Sequence, residues 1–264
     1  MREQSAKRKR ILLTGAAGGI GSAFFRSSAE QFHFRLADRN ITALGKLQAE
    51  GHEIVELDIA DLDACQQACR DMDIVIHLAA DPNPEADFLG SLLHNNIQGT
   101  YNMFRAARDQ GCQRVIFASS VQTLLGYPDD VQPQVESLLR PVNMYGVSKC
   151  FGEAVAYYFA HTEGLSSIVV RIGAYDTNGT KAQWLLQHKP HINNLSGYVS
   201  ERDLNQLLTR CIETPDISYA IVHGISNNLF KKFEIESTRA LLGYAPQDDA
   251  FKLFKDQLQG WLQD

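Results

Sequence analysis

Short apolar runs alternate with longer amphipathic segments along the chain, and this pattern continues to about residue 173. Strands are predicted at six runs rich in apolar and β-branched residues, which are RILLT, HFRLA, HEIVELD, DIVIHLAA, RVIFASS and SSIVVRIG. Helices are predicted between them, over about 19–30, 61–70 and 87–109, and again from Tyr145. Because strands this apolar suit a parallel sheet covered by helices on both faces, residues 10–173 predict a doubly wound α/β fold.

The pattern changes after Gly173. A polar, loop-like stretch, AYDTNGTKAQ, precedes one further predicted strand, YAIVHGI, and two helical segments near 231–242 and 249–262. Residues 174–264 therefore predict a small C-terminal substrate lobe that is interleaved with the last strands of the sheet. At the other end, the basic run KRKR predicts a solvated N-terminal tail over residues 1–9.

Composition and charge exclude several functional classes. The 264 residues carry a net charge of −6, which argues against a general affinity for nucleic acid. No apolar run approaches the ~18 residues of a membrane span, and the N-terminus lacks the apolar core of a signal peptide, so a cytoplasmic protein with no membrane partner is expected. The five cysteines and eight histidines are dispersed without zinc-ligand spacing, so reduced thiols and no metal site are expected.

A glycine-rich loop follows the first predicted strand. Gly15, Gly18 and Gly21 lie between that strand and the first helix, the context in which such a triplet becomes specific for a dinucleotide. Gly15 permits a tight turn, Gly18 lets the backbone approach a pyrophosphate, and Gly21 allows close helix packing. The phosphates would meet the free N–H groups at the helix start, whereas the alternative is a flexible turn without a ligand. The loop thus predicts a Rossmann-type dinucleotide-binding fold.

Carboxylates that follow the second and third strands indicate which dinucleotide binds. Asp38 comes 17 residues after Gly21, where a carboxylate accepts hydrogen bonds from the adenosine ribose and repels a 2′-phosphate. NAD is therefore favoured over NADP, although the neighbouring Arg39 weakens this preference. Asp58 is placed to meet the adenine ring, and an ordinary helix-start carboxylate is an equally good interpretation of it.

The segment NMYGVSKCFGE, residues 143–153, contains a tyrosine and a lysine four residues apart. At that spacing Tyr145 and Lys149 share one face of a helix, as any aromatic and cation on an exposed helix can. The chemical interpretation is that the ammonium lowers the pKa of the phenol from about 10, so that the tyrosine can act as a general base toward an alcohol.

These motifs together resemble the extended short-chain dehydrogenase/reductase superfamily, the NAD-dependent epimerase/dehydratase family. The resemblance covers residues 10 to about 173 and is carried by the glycine loop, HLAA at 77–80, NNIQGTYN, VIFASS and YGVSK. Within this superfamily the chain is similar to bacterial uronate dehydrogenases in LLTGAAGGIG, RLAD, YGVSKCFGE and VRIG. A homodimer through the helices near 90–108 and 145–160, or a higher homo-oligomer, would match the resemblance, and a monomer stays open.

The resemblance also assigns roles to residues. Tyr145 is the general base, Lys149 lowers its pKa and holds the nicotinamide ribose, and Ser120 orients the substrate hydroxyl. Ser119 is a weaker candidate for that last role, and Asn96 would fix the helix and the cofactor beside the site. The other cofactor contacts that the resemblance implies are Gly19, Ile20, Ile59, Leu78, Ala79, Ala80 and Ile172. The other substrate contacts that it implies are Asp81, Val121 and Gln122.

Three functional classes remain to be separated: a sugar dehydrogenase, an epimerase or dehydratase that retains its cofactor, and a cofactor sensor without chemistry. An intact Ser–Tyr–Lys set argues against a sensor. Val121 and Gln122 stand where the family's dehydratases carry an Asp–Glu pair, so no acid is present to expel water. The small lobe leaves little room for a nucleotide-sugar. An NAD-dependent dehydrogenase of a small free sugar is therefore predicted, with an epimerase as the alternative.

The sequence departs from the uronate dehydrogenases at the substrate positions. Asp81 and Pro82 follow HLAA, where those enzymes offer a serine, and the arginine that binds their substrate carboxylate has no clear counterpart here. Lys181 or Arg202 could replace it, although each is more typical of a surface charge. Both a uronic acid, slightly favoured, and a neutral aldose stay open as substrates.

Overall fold

The computed structural model describes residues 8–175 and 195–261. The strands are β1 (Arg10–Thr14), β2 (His33–Asp38), β3 (Glu53–Glu56), β4 (Ile74–His77), β5 (Arg114–Ser120), β6 (Ser166–Ile172), β7 (Ala174–Tyr175), β8 (Tyr198–Val199) and β9 (Tyr219–Gly224). Seven of them form one parallel sheet in the order β3-β2-β1-β4-β5-β6-β9, while β7 and β8 form a separate parallel pair. The predicted doubly wound, Rossmann-type fold is confirmed.

Helices connect the strands and cover the sheet. They are α1 (Gly19–Ser28), α2 (Gly45–Ala49), α3 (Leu62–Cys69), a π-helix (Phe88–Gln98) that continues directly into α4 (Gly99–Asp109), α5 (Met144–Thr162), α6 (Glu201–Glu213), α7 (Glu236–Leu242), α8 (Ala250–Leu253) and α9 (Lys255–Trp261). Side-chain caps define several starts, because the carboxylate of Asp61 accepts from the Ala64 N–H and the amide oxygen of Asn143 accepts from the Gly146 N–H.

The sheet is buried on both faces, which explains its apolar strands. Along β1, Ile11 and Leu13 point to a core that α1 and α6 cover, and Leu12 points to a second core beneath α3, α4 and α5. The strand order reverses between β1 and β4, so a crevice opens where the carboxyl ends of these two strands diverge. Ligands of open α/β sheets bind in this position.

Some sequence predictions for the C-terminal part need correction. The helix predicted over 231–242 begins only at Glu236, because Phe233 and Ile235 pack into a small cluster with Val121 and Leu124. The helical segment predicted near 249–262 consists of two short helices, α8 and α9. The predicted strand YAIVHGI is β9, which completes the main sheet beside β6. Most of the predicted N-terminal tail lies outside the described residues, as does most of AYDTNGTKAQ.

Two buried histidines should make the fold sensitive to acid. Burial lowers the pKa of His77 to about 3 and the pKa of His223 to about 4, and Nε2 of each ring lacks a hydrogen-bond partner. As pH falls below 6.5, the unfolded chain binds protons that the folded protein resists, so folding stability is progressively lost down to the folded pKa values.

We expect the free energy of unfolding to be lower at pH 5 than at pH 7, by about 2 kcal/mol for each of these histidines. Urea unfolding at the two pH values measures the difference. His33→Gln, which alters an exposed histidine, is the control and should leave the difference unchanged. Equal stability at the two pH values would contradict the burial of neutral imidazoles.

Candidate active site

A cleft of about 1330 Å³ lies across the carboxyl ends of the strands. Its floor runs from the glycine loop after β1, past the ends of β2 and β4, to the end of β5 and the start of α5. The far wall is formed by residues after β6 and by parts of the C-terminal segment, including Lys232 and Phe233. The cleft is therefore continuous from the predicted dinucleotide site to the predicted catalytic residues.

The glycine loop has the geometry of a phosphate cradle. Gly15 has a φ of 70°, and a Cβ atom there would lie 2.8 Å from the Ala79 nitrogen. At Gly21 a Cβ atom would approach the Gly15 oxygen to 2.3 Å, so the helix packs against the loop only without a side chain. Gly18 precedes α1 without a side-chain cap, which leaves first-turn N–H groups directed to the cleft. These residues fit a dinucleotide pyrophosphate.

Asp38 lies at the end of β2 and holds the loop in place. Its carboxylate accepts a hydrogen bond from the Ala17 N–H at 3.0 Å and another from the Asn40 N–H at 3.1 Å. Each oxygen retains a lone pair for a ribose hydroxyl, and the group lines the cleft. Arg39 also lines it, with Nη1 3.4 Å from the Asn95 amide oxygen.

Asp58 is exposed, lines the cleft and accepts from the Ala60 N–H at 2.9 Å. This contact matches the interpretation of Asp58 as a turn-forming carboxylate, and its position in the cleft also leaves it available to an adenine ring. Most of the other predicted cofactor residues line the cleft, and they are Gly15, Gly18, Gly19, Ile20, Gly21, Ile59, Leu78, Ala79, Ala80, Lys149 and Ile172.

Asn96 does not line the cleft, but it contacts helix α5 as the resemblance implies, and its role toward the cofactor stays a prediction. Its side chain is 1% exposed and is hydrogen-bonded within the protein. The amide oxygen accepts from the Asp81 N–H at 2.8 Å, and the amide nitrogen donates to the Asp81 carbonyl at 3.1 Å and to the Ser148 hydroxyl at 3.0 Å. Asn96 thus ties the loop after β4 to helix α5.

Ser120, Tyr145 and Lys149 converge in the cleft at the junction of β5 and α5. The Ser120 hydroxyl accepts from the Gln122 N–H at 3.2 Å, and it is close enough to the Tyr145 phenol to oppose the rise in the pKa of that group that burial causes. The start of α5 is fixed to the end of β5, because the Asn143 amide donates to the Gln122 side chain at 3.0 Å. The sequence prediction that these three residues share one site agrees with this geometry.

The electrostatics of the tyrosine differ from the prediction. Burial raises the pKa of Tyr145 above its ordinary value, the hydrogen bond with Ser120 opposes this shift, and the Asp81 charge adds to it. Lys149 is not among the groups that shift this pKa; its Nζ donates to the Ala118 carbonyl at 2.8 Å and lies 5.6 Å from the centre of the phenol ring. Burial in turn lowers the pKa of Lys149 to about 8.

Sequence reasoning missed a buried ion pair behind the site. Glu153 and Arg171 form a bidentate pair with oxygen–nitrogen distances of 2.9 and 2.8 Å, and both are nearly inaccessible to solvent. The Ser119 hydroxyl donates to Glu153 at 2.6 Å, so this serine, although it lines the cleft, is committed to the pair. The continuing four-residue spacing from Tyr145 through Lys149 to Glu153 was the available signal.

The predicted substrate residues Asp81, Val121 and Gln122 line the cleft, together with Tyr127 and Asp129, which no motif indicated. The sequence offers Lys181 and Arg202 as candidates for a cation that binds a substrate carboxylate. Lys181 lies outside the described residues. Arg202 is exposed, pairs with Asp248 and does not line the cleft, which agrees with the interpretation of a surface charge.

Comparison with known proteins identifies the family. Residues 11–176 match the NAD dependent epimerase/dehydratase family, and the chain belongs to it. It is 38% identical to an NAD-dependent glucose-6-phosphate dehydrogenase of Haloferax volcanii over 91% of this chain and 94% of that protein. It is 34% identical to an L-arabinose 1-dehydrogenase (NAD(P)(+)) of the same organism over 91% of this chain and 97% of that protein.

A solved structure is also similar. The crystal structure of a mutant uronate dehydrogenase from Agrobacterium tumefaciens, complexed with NAD, has a TM-score of 0.81 and 31% identity, and the match covers 96% of this chain and 89% of that one. The predicted superfamily, the NAD cofactor and the class of NAD-dependent dehydrogenase are confirmed.

Two further observations concern the part of the chain that the structure describes. None of its helices is both long and apolar enough to cross a bilayer. Within the same ranges, 8–175 and 195–261, no group of three or more His, Cys, Asp or Glu residues is arranged to hold a metal ion.

The preference for NAD can be tested at Asp38. We expect Asp38→Ala to weaken NAD binding by about 10-fold or more and NADP binding by less, because the mutation removes both a ribose acceptor and a charge that repels a 2′-phosphate. Titration of each cofactor by protein fluorescence or calorimetry gives the two Kd values. A looser glycine loop would weaken both cofactors equally, so an unchanged ratio of the two Kd values would contradict the role of Asp38.

Proposed function

We propose that the protein oxidises a hydroxyl group of a small free sugar and transfers the hydride to NAD, with Tyr145 as the proton acceptor. The observation that carries this proposal is the convergence of Ser120, Tyr145 and Lys149 at the far end of a cleft that begins at the glycine loop. The relatives named above act on glucose 6-phosphate, L-arabinose and uronates. Each of these compounds is a small sugar or sugar derivative with a carbon that bears a hydroxyl group, which supports a small sugar as the class of substrate.

Each catalytic side chain has a separate task in this proposal. Ser120 donates to or accepts from the substrate hydroxyl and so orients it toward the phenol oxygen of Tyr145, which takes its proton. Lys149, held against the Ala118 carbonyl, presents its remaining N–H groups to the ribose side of the cleft. When bound, NAD supplies the hydride acceptor and a positive charge that favours the phenolate.

The raised pKa of Tyr145 makes this proton acceptance depend on nearby positive charge. With the phenol neutral near pH 7, the proposal requires that cofactor and substrate binding supply the stabilisation that the protein alone lacks. Lys149 contributes its charge only below its pKa of about 8. Because the pKa of Lys149 lies below that of Tyr145, the lysine charge is lost before the phenol ionises in the protein alone. Activity near pH 7 therefore requires that bound cofactor lower the pKa of Tyr145.

The neighbours of Ser120 favour a dehydrogenase over a dehydratase. Val121 is apolar and buried, and the Gln122 side chain is hydrogen-bonded to Asn143. Neither residue can donate a proton to a leaving hydroxyl group, which elimination of water requires. Oxidation needs no such acid, because the hydride and one proton are the only groups that leave the substrate.

Tyr145→Phe tests the proposed proton acceptor. We expect kcat for NADH formation to fall by at least ~10²-fold, because a general base contributes about that much, while the Kd for NAD stays near normal. The assay monitors NADH absorbance with NAD and a panel of free sugars and sugar acids. Tyr157→Phe is a matched control, since Tyr157 is an exposed tyrosine on the same helix, and it should retain full activity.

Near-full activity of Tyr145→Phe would contradict the role of this residue. Failure of the unmodified protein to form NADH with any member of the panel, despite NAD bound in the purified protein, would instead favour the epimerase alternative, in which the hydride returns to the substrate.

A further inference from the structure

Asp81 presents a fixed carboxylate to the substrate end of the cleft. Its backbone is held on both sides by Asn96, and its carboxylate accepts from the Asn83 N–H at 3.0 Å and from the Ser91 hydroxyl. The group lines the cleft, and its charge acts on the phenol of Tyr145, so it lies close to the reacting end. Because a carboxylate oxygen accepts two hydrogen bonds, each oxygen of Asp81 can accept one more.

The cations among the described lining residues are committed elsewhere. Lys232 is buried and donates to the carbonyls of Tyr127, Pro128 and Val131, which uses all three of its N–H groups. Lys149 donates to the Ala118 carbonyl at the catalytic centre, and Arg39 lies at the adenosine end beside Asp38. Within residues 8–175 and 195–261, no cation at the substrate end thus has a free N–H group for a carboxylate or phosphate remote from the reacting carbon.

Asp81 contributes a negative charge to the substrate end of the cleft. Like charges at short range in a partly desolvated cleft disfavour binding, whereas sugar hydroxyls donate to carboxylates in charge-assisted hydrogen bonds. The substrate end is therefore suited to an uncharged polyhydroxylated molecule.

Building on the proposed function, we infer that the substrate is a neutral sugar whose hydroxyl groups donate to Asp81, and that the charge of this residue disfavours sugar acids and sugar phosphates. Asp81 is then a residue that determines specificity. Asp81 binds hydroxyl groups on the part of the sugar that does not react, while Ser120 and Tyr145 act on the reacting hydroxyl.

Matched pairs of sugars that differ mainly in charge test this inference. D-galactose is compared with D-galacturonate, and D-glucose with glucose 6-phosphate, by kcat/KM for NADH formation. We expect the neutral member of an accepted pair to be favoured by ~10-fold or more, since a nearby like charge disfavours the anion. Asp81→Asn keeps the size of the side chain and should shift the neutral-to-anionic ratio toward the anion by a similar factor.

Asp63→Asn, which removes an exposed charge in the first turn of α3, is the control for net charge and should leave the ratio unchanged. Preference of the unmodified protein for an anionic member would overturn the inference and leave the proposed dehydrogenase standing. A ratio that Asp81→Asn does not move would also overturn it. If no sugar of either kind yields NADH, the proposed function fails, and the inference fails with it.

Discussion

The buried ion pair between Glu153 and Arg171 is the interaction on which the catalytic geometry depends. It joins α5 to β6, and Ser119 connects it to β5, so the helix that carries Tyr145 and Lys149 is held against the strand that carries Ser120. Burial of two charges is costly unless their geometry is good, and removal of one partner typically costs about 3–5 kcal/mol. The Glu153–Arg171 pair meets this condition through its bidentate geometry and additional hydrogen bonds. It therefore fixes the relative positions of the catalytic groups.

Both ends of the cleft use a carboxylate whose orientation is set by backbone N–H groups. Asp38 accepts from Ala17 and Asn40, while Asp81 accepts from Asn83 and is flanked by Asn96. Such bonds hold a carboxylate rigidly, which favours hydroxyl groups that donate to it and disfavours anions at the same place. One physical rule thus connects the predicted preference for NAD over NADP with the inferred preference for neutral sugars.

The fold and the cofactor loop could be predicted because their signals are local. The glycine loop encodes a turn whose shape excludes side chains, and the four-residue spacing of Tyr145 and Lys149 guarantees a shared helix face. The pKa of Tyr145 could not be predicted in the same way, because it depends on burial and on the charge of Asp81, a residue 64 positions away in the chain. Tertiary packing determines both of these influences on the phenol of Tyr145.

Contacts between distant segments escaped prediction for the same reason. Lys232 binds carbonyls about 100 residues away in the chain, and no pattern in the sequence indicates that such a lysine is buried and already fully bonded. The irregular backbone before α7 was predicted to be helical, because its apolar residues also fit a helical spacing. Only their packing against the end of β5 and the following turn decides between the two conformations.

Transfer of deuterium from a perdeuterated sugar that the protein consumes would test the dehydrogenase most directly. The account predicts that NADH accumulates in step with the oxidised sugar and that mass spectrometry finds one deuteron in each NADH molecule formed. Conversion of the sugar to an isomer that keeps its deuterium, without accumulation of NADH, would contradict it.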